Sequence, residues 1–275
     1  MILLNMTPEE KMRQASRLEM DLRSSARSWV EHNQRVLKMR KTFPFRHVIR
    51  RKYKGMGEWS IILNFNEKPK FAKGVTFSSN AYQKFYVDRG AKPENIGAGI
   101  YMLGGSVRAG GIPNQGISFR EFTPHFFHRY RQRYLERNNI KVGGFDDLVL
   151  TVLDSVNLTM VSDAMYRFGH GDSDNKFLRS QNIPRCEGYD NLAIFTRHGI
   201  ILGISRPSID YECYLTYVDR DDFYAAQREI YGDILKLYEA HDRLMETDPY
   251  YYLDRSSLIR NEMKEYERLY NLNYR

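Results

Sequence analysis

Thr123-Pro124-His125-Phe126-Phe127-His128-Arg129-Tyr130-Arg131-Gln132-Arg133-Tyr134-Leu135-Glu136-Arg137 is the stretch on which the reading of the fold turns. Thr123 suits an N-cap and Pro124 the first helical position, because proline lacks the N–H that would be unpaired there. At 100° per residue, His125, His128, Arg129, Gln132, Arg133 and Glu136 fall in one arc. Phe126, Phe127, Tyr130 and Tyr134 take the opposite side. The spacing therefore predicts an amphipathic helix that buries aromatics and presents imidazole and guanidinium groups to water.

On the N-terminal side, residues 45–118 read as strands broken by glycine. Residues 59–65 are β-branched and aromatic, 82–87 alternate, and 96–103 make a third candidate. An antiparallel sheet is expected there, with Gly104-Gly105 and residues 110–114 as loops. Further back, Thr7-Pro8-Glu9-Glu10 has capping-box spacing and starts a helix expected to reach about Lys41, before Pro44. On the C-terminal side, Gly143-Gly144 stops the central helix, and Leu148, Val152 and Val156 predict a second one over residues 145–161. Residues 168–188 read as a loop. Residues 192–196, 200–205 and 213–218 form a β-meander, with His198-Gly199 at its first turn. Two further helices, about 222–245 and 256–270, close the chain. The class is α+β: helices at both termini, an antiparallel N-terminal sheet, then central helices and an antiparallel meander. Two regions follow, 1–118 and 119–275, which can pack as one domain.

With 42% hydrophobic and 28% charged residues the chain is a folding, globular composition. Its net charge of +8 favours a polyanionic partner such as nucleic acid. No run approaches the roughly 20 apolar residues needed to span a bilayer, so no membrane partner is expected. Cys186 and Cys213 form no paired motif, which points to the cytoplasm. Gly97-Ala98-Gly99 and Gly104-Gly105 lack the lysine of a phosphate-binding loop, and no cofactor is expected.

The chemistry lies on the central helix. Its positive N-terminal end and Arg129 one turn on disfavour a second proton on His125, making a neutral imidazole available as general base. Arg129 and Arg133 offer forked donors to a phosphate. Metal-independent RNA cleavage needs a base for the 2′-hydroxyl, cations on the phosphoryl oxygens and an acid for the leaving oxygen. His125 is the candidate base, Arg129 and Arg133 the clamp, and His128 the candidate acid. The plainer reading is a solvated arginine face with hydrogen-bonding histidines.

The run of residues 123–133, followed by helix 145–161 and a meander ending Leu215-Thr216-Tyr217, resembles distant members of the barnase and RelE-like ribonuclease toxin superfamily. The likeness covers about residues 120–220. It implies an RNA-cleaving site with His125, Arg129 and Arg133 from the helix and Thr216 or Tyr217 from a strand.

Elsewhere, Arg46, Arg50, Arg51, Lys52 and Lys54, interleaved with Tyr53, are either a phosphate-tracking patch or a charged edge strand. Arg131, Arg137 and Arg197 extend the nucleic-acid-binding candidates. His125 and His128, with His170, Asp172 or Asp174, have a weak metal-ligand spacing, and no metal site is expected. The expected partner is nucleic acid, RNA favoured. The terminal helices and the tyrosines at 250–252 are candidate surfaces for a second copy or a protein partner. Rival function classes are an RNA-binding protein with endoribonuclease activity, a non-enzymatic nucleic-acid binder, and an assembly protein of a phage or mobile element.

Overall fold

The computed structural model describes residues 6–65, 68, 78–86, 96–102, 118–156, 189–196 and 198–223, with Ala225, Arg228, Tyr231, Gly232 and Leu235 beyond them. Expectations for residues 104–105, 110–114, 168–188, 197, 250–252 and 256–270, including those for His170, Asp172, Asp174, Cys186 and Arg197, lie outside the described residues.

Helix α1, Pro8–His32, starts at the expected capping box: the Thr7 hydroxyl accepts from Glu10 N, and the Glu10 carboxylate accepts from Thr7 N. Its buried residues are Lys11, Ala15, Leu18, Leu22, Ala26 and Val30, a stripe at three- and four-residue spacing. The helix stops earlier than expected. Asn33 leaves helical geometry (φ −104°, ψ 15°) and both its backbone N–H and its side-chain amide bond to Trp29 O. A short helix α2, Gln34–Met39, follows. Asparagine competes for nearby backbone groups in this way, which a reading of periodicity alone does not register.

Strands β1 (Phe45–Tyr53), β2 (Gly57–Phe65), β3 (Ser78–Tyr86), β4 (Ile96–Met102) and β5 (Ser118–Phe122) come next, each antiparallel to the one before. The β1–β2 turn uses Gly55 and Gly57 at φ 73° and 80°, where side chains are disfavoured. Strand β2 is buried on both faces, from Trp59 to Leu63 and at Phe65, which is why its sequence is a near-continuous apolar run.

Helix α3 (Pro124–Tyr130), a π turn (Arg131–Leu135) and helix α4 (Phe145–Val156) precede β6 (Asp190–Thr196), β7 (Gly199–Arg206) and β8 (Tyr211–Asp219). The expected class, α+β, with the N-terminal helix, the central helices and the strands, is the observed one. The sheet itself differs from expectation. It has eight strands in the order β1-β2-β3-β4-β5-β8-β7-β6, and β5 pairs with β8 in parallel, Phe119 opposite Tyr211 through Phe122 opposite Tyr214. The N-terminal sheet and the meander are thus one mixed sheet, not two antiparallel blocks. A parallel pair needs a long crossover, and residues 123–210 supply it.

The chain divides into two compact units: Met1–His125 with Arg206–Tyr214, and Phe126–Ser205 with Leu215–Arg275. In the first, α1 lies on the sheet through a buried ion pair, Lys11 Nζ to Glu121 Oε2 at 2.7 Å. The Tyr211 hydroxyl donates to the same carboxylate oxygen at 2.6 Å. Arg206 and Glu9 form a second ion pair in this unit. In the second, Phe126, Phe127, Tyr130, Leu135, Leu148, Val149, Val152 and Leu153 are buried. Of the expected 222–245 helix, Asp222 closes a 3-10 turn and Phe223 is extended, while Ala225, Arg228, Tyr231, Gly232 and Leu235 are helical. No described helix is long and apolar enough to cross a membrane.

Candidate nucleic-acid interface

The central helix is where the wheel at 100° per residue fails, and the reason is local. From Arg131 to Leu135 the backbone forms a π turn, with Glu136 N donating to Arg131 O (2.9 Å), and the helix then ends at a left-handed Asn139 (φ 55°), where Ile140 N donates to Leu135 O (2.8 Å) and Asn139 N to Glu136 O (3.2 Å). An i→i+5 turn holds more residues than an α turn, so each advances by about 80–85° rather than 100°. Over five residues the lag is close to one full residue step. Leu135, which an α-helix would leave beside exposed His128, is turned inward and is 2% exposed. Arg129, Arg133 and Arg137 fall into one row.

What that row meets is acidic. Arg137 bonds Asp222 Oδ1 at 2.9 Å and lies 3.9 Å from Asp219 Oδ1; Arg133 Nε lies 3.7 Å from Asp222 Oδ2. Arg133 also donates to the Tyr217 carbonyl at 2.8 Å. Arg129 donates to Gln132 Oε1 at 3.0 Å. Burial, then the like charges of Arg129 and Arg137, push the Arg133 pKa down, with Asp222 and Asp219 opposing. Burial pushes Asp219 up, offset in part by a hydrogen bond from Asp221 N and by Arg137. Two of the three arginines therefore already hold carboxylates.

His125 and His128 are both exposed. The boundary between the units falls immediately after His125; His128, Arg129, Arg133 and Thr216 belong to the second. Thr216 is half-buried on β8. Its neighbour Tyr217 packs on Tyr130 (5.1 Å, 79°) and Tyr134 (6.2 Å), so alternation along the strand puts Thr216 on the other face. Tyr217 is the strand residue that meets the helix. Its hydroxyl is buried without a hydrogen-bond partner among the described residues, and burial, then Asp219, pushes its pKa well up. Tyr134 stacks on His198 at 4.8 Å. The Arg131 Nε is likewise buried without a hydrogen-bond partner among the described residues. Among the described residues no group of three or more His, Cys, Asp or Glu is placed to hold a metal.

The second candidate patch lies in the first unit. Arg50, Arg51, Lys52 and Lys54 are exposed on β1 and its turn, at the edge of the sheet; Arg46 is half-buried and donates to Asn64 Oδ1 at 2.8 Å. Lys52 stands opposite Glu58 in the register. Just upstream, Arg35, Lys38 and Lys41 are exposed on and after α2, while Arg40 lies over the Phe45 ring, 3.7 Å from its centroid. Between Glu31 and Glu58 there are nine Lys or Arg residues and no Asp or Glu. The rest of the chain holds 33 cations against 34 anions, so this one segment accounts for the whole net charge. The charge pattern of β1 is legible as a local cluster, whereas Arg35, Lys38, Arg40 and Lys41 join it only through the absence of acids between them. A scan for the longest acid-free window would have found them.

No family model matches the chain, and no curated protein or solved structure matches it.

Proposed function

We propose that the protein binds RNA through its phosphate backbone, with the acid-free segment of residues 32–57 as the electrostatic grip. The observation that carries this reading is the segregation of charge: nine cations, seven of them on exposed residues, on a helix–strand–turn unit at the sheet edge, in a chain otherwise neutral. A polyanion gains from such a field because each neutralised phosphate releases condensed counterions. The likeness of residues 123–133 to ribonuclease toxins favours RNA over DNA.

Metal-independent cleavage is the second reading, favoured by the exposure of His125 and His128 on α3. A phosphate clamp at Arg133 would have to compete with Asp222, which Arg133 and Arg137 already face. Both readings are tested in one experiment. End-labelled RNA is titrated with protein in excess chelator, binding is followed by anisotropy across a salt series, and the RNA is then run on a denaturing gel. Affinity that falls steeply with salt supports the grip, and salt-independent or absent binding overturns it. Cleavage by the wild type that disappears in His125→Ala supports the enzyme. Intact RNA, or equal cleavage by the variant, removes it.

A further inference from the structure

Beside the cations of the first unit lies an aromatic cluster that the electrostatic account leaves unused. His47 on β1 stacks on Trp29 of α1 with centroids 4.1 Å apart and planes at 21°. Phe45, two residues back on the same strand face, stacks on Phe65 at 5.8 Å and stands 6.4 Å from His47. The Arg40 guanidinium covers Phe45 at 3.7 Å. Phe65 is fully buried and forms the floor, whereas Trp29, Phe45 and His47 are each half-buried. Burial lowers the His47 pKa, which keeps the ring a flat neutral aromatic rather than a further cation.

Trp59 on the neighbouring strand is covered completely, whereas Trp29 and His47 keep part of their surface open. Rings left partly open at a sheet edge, among guanidinium and ammonium groups, match what binds an unpaired strand: a π surface for each base and cations along the backbone. A duplex cannot use the rings. Its bases are stacked on one another, and it presents only phosphates and groove edges. Resting on the RNA-binding reading above, we propose that the ligand is single-stranded RNA, with an unpaired base stacking on the half-buried Trp29–His47 pair while Arg40, held over Phe45, and the adjacent cations hold its phosphates.

The chain carries two tryptophans, Trp29 and the fully buried Trp59, so emission changes on binding report on Trp29. The full-length protein is titrated with a short RNA lacking self-complementarity, and separately with that strand annealed to its complement. The single strand is expected to bind about tenfold or more tighter than the duplex, within the range of one stacked base, and to quench Trp29. His47→Ala should lose about that factor for the single strand and leave duplex binding unchanged, which also serves as the control for folding. His47→Phe, which keeps a flat ring, should retain single-strand binding. Equal affinity for strand and duplex, binding without quenching, or equal losses in His47→Ala and His47→Phe would overturn the proposal while leaving RNA binding in place. Failure of both RNAs to bind removes the RNA-binding reading, and this one with it.

Discussion

Lys11 shows how far a single residue can depart from its type. On the sequence it is one cation among many in the first helix; in the fold it is 3% exposed and ion-paired with Glu121, itself 3% exposed. Removing one member of such a pair strands the other charge in the core. Lys11→Ala is therefore expected to lower the unfolding free energy by about 3–5 kcal/mol, measured by urea denaturation. A loss under about 1 kcal/mol would mean the pair is not buried as described. The same carboxylate reaches Cys213, whose thiol is pushed up to about 12 by burial and then by Glu121. A folded-state value above the ordinary one means the fold prefers the protonated thiol. Its stabilising contribution is complete below the ordinary 9.0 and is lost as pH rises from there towards about 12. In the folded protein Cys213 should resist alkylation near pH 9, while denaturant releases its reactivity; rapid modification without denaturant would contradict this. The capping box of α1 was legible residue by residue, because its partners are three positions apart. The Lys11–Glu121 pair was not, because 110 positions separate its members.

Element by element, the strands and helices follow local pattern. Residues 59–65, 82–87 and 96–103 of the sequence reading fall on β2, β3 and β4, although β3 begins four residues earlier, at Ser78, and the aromatic side of the central helix is buried at Phe126, Phe127 and Tyr130. The π turn escaped because a wheel assumes one constant angle, and nothing in Arg131-Gln132-Arg133-Tyr134-Leu135 marks a change of winding. Its effect decides the site: it sends Leu135 to the core and aligns Arg133 and Arg137 on Asp222. The hairpin from β6 to β7 has an equally local constraint. A Cβ on Gly199 would stand 2.2 Å from the Val218 carbonyl and 2.6 Å from the Tyr217 hydroxyl, against backbone that cannot move aside cheaply. Gly199→Ala is expected to destabilise by about 1–3 kcal/mol through overpacking, seen as a lower Tm. An unchanged Tm would show that β8 yields there.

For the molecule as a whole, the class and the two blocks of strands were legible, and their union was not. Alternation within a strand specifies which face is buried, and short turns specify antiparallel neighbours. Neither says that β5 and β8, joined by the long crossover of residues 123–210, run side by side in parallel. Charge behaves differently, because it adds without regard to fold. The basic excess of the entire chain resides in residues 32–57, and the structure sets that segment on a helix, a turn and an edge strand of one unit. The central claim is that this segment grips RNA phosphates. Its most direct test is the slope of log affinity against log salt for the wild type and for a variant with Arg50, Arg51 and Lys52 all changed to Gln. Each phosphate contact on a single strand contributes about 0.7 to that slope. The account predicts a slope shallower by about 2 in the variant, with weaker binding at low salt; identical slopes and affinities would contradict it.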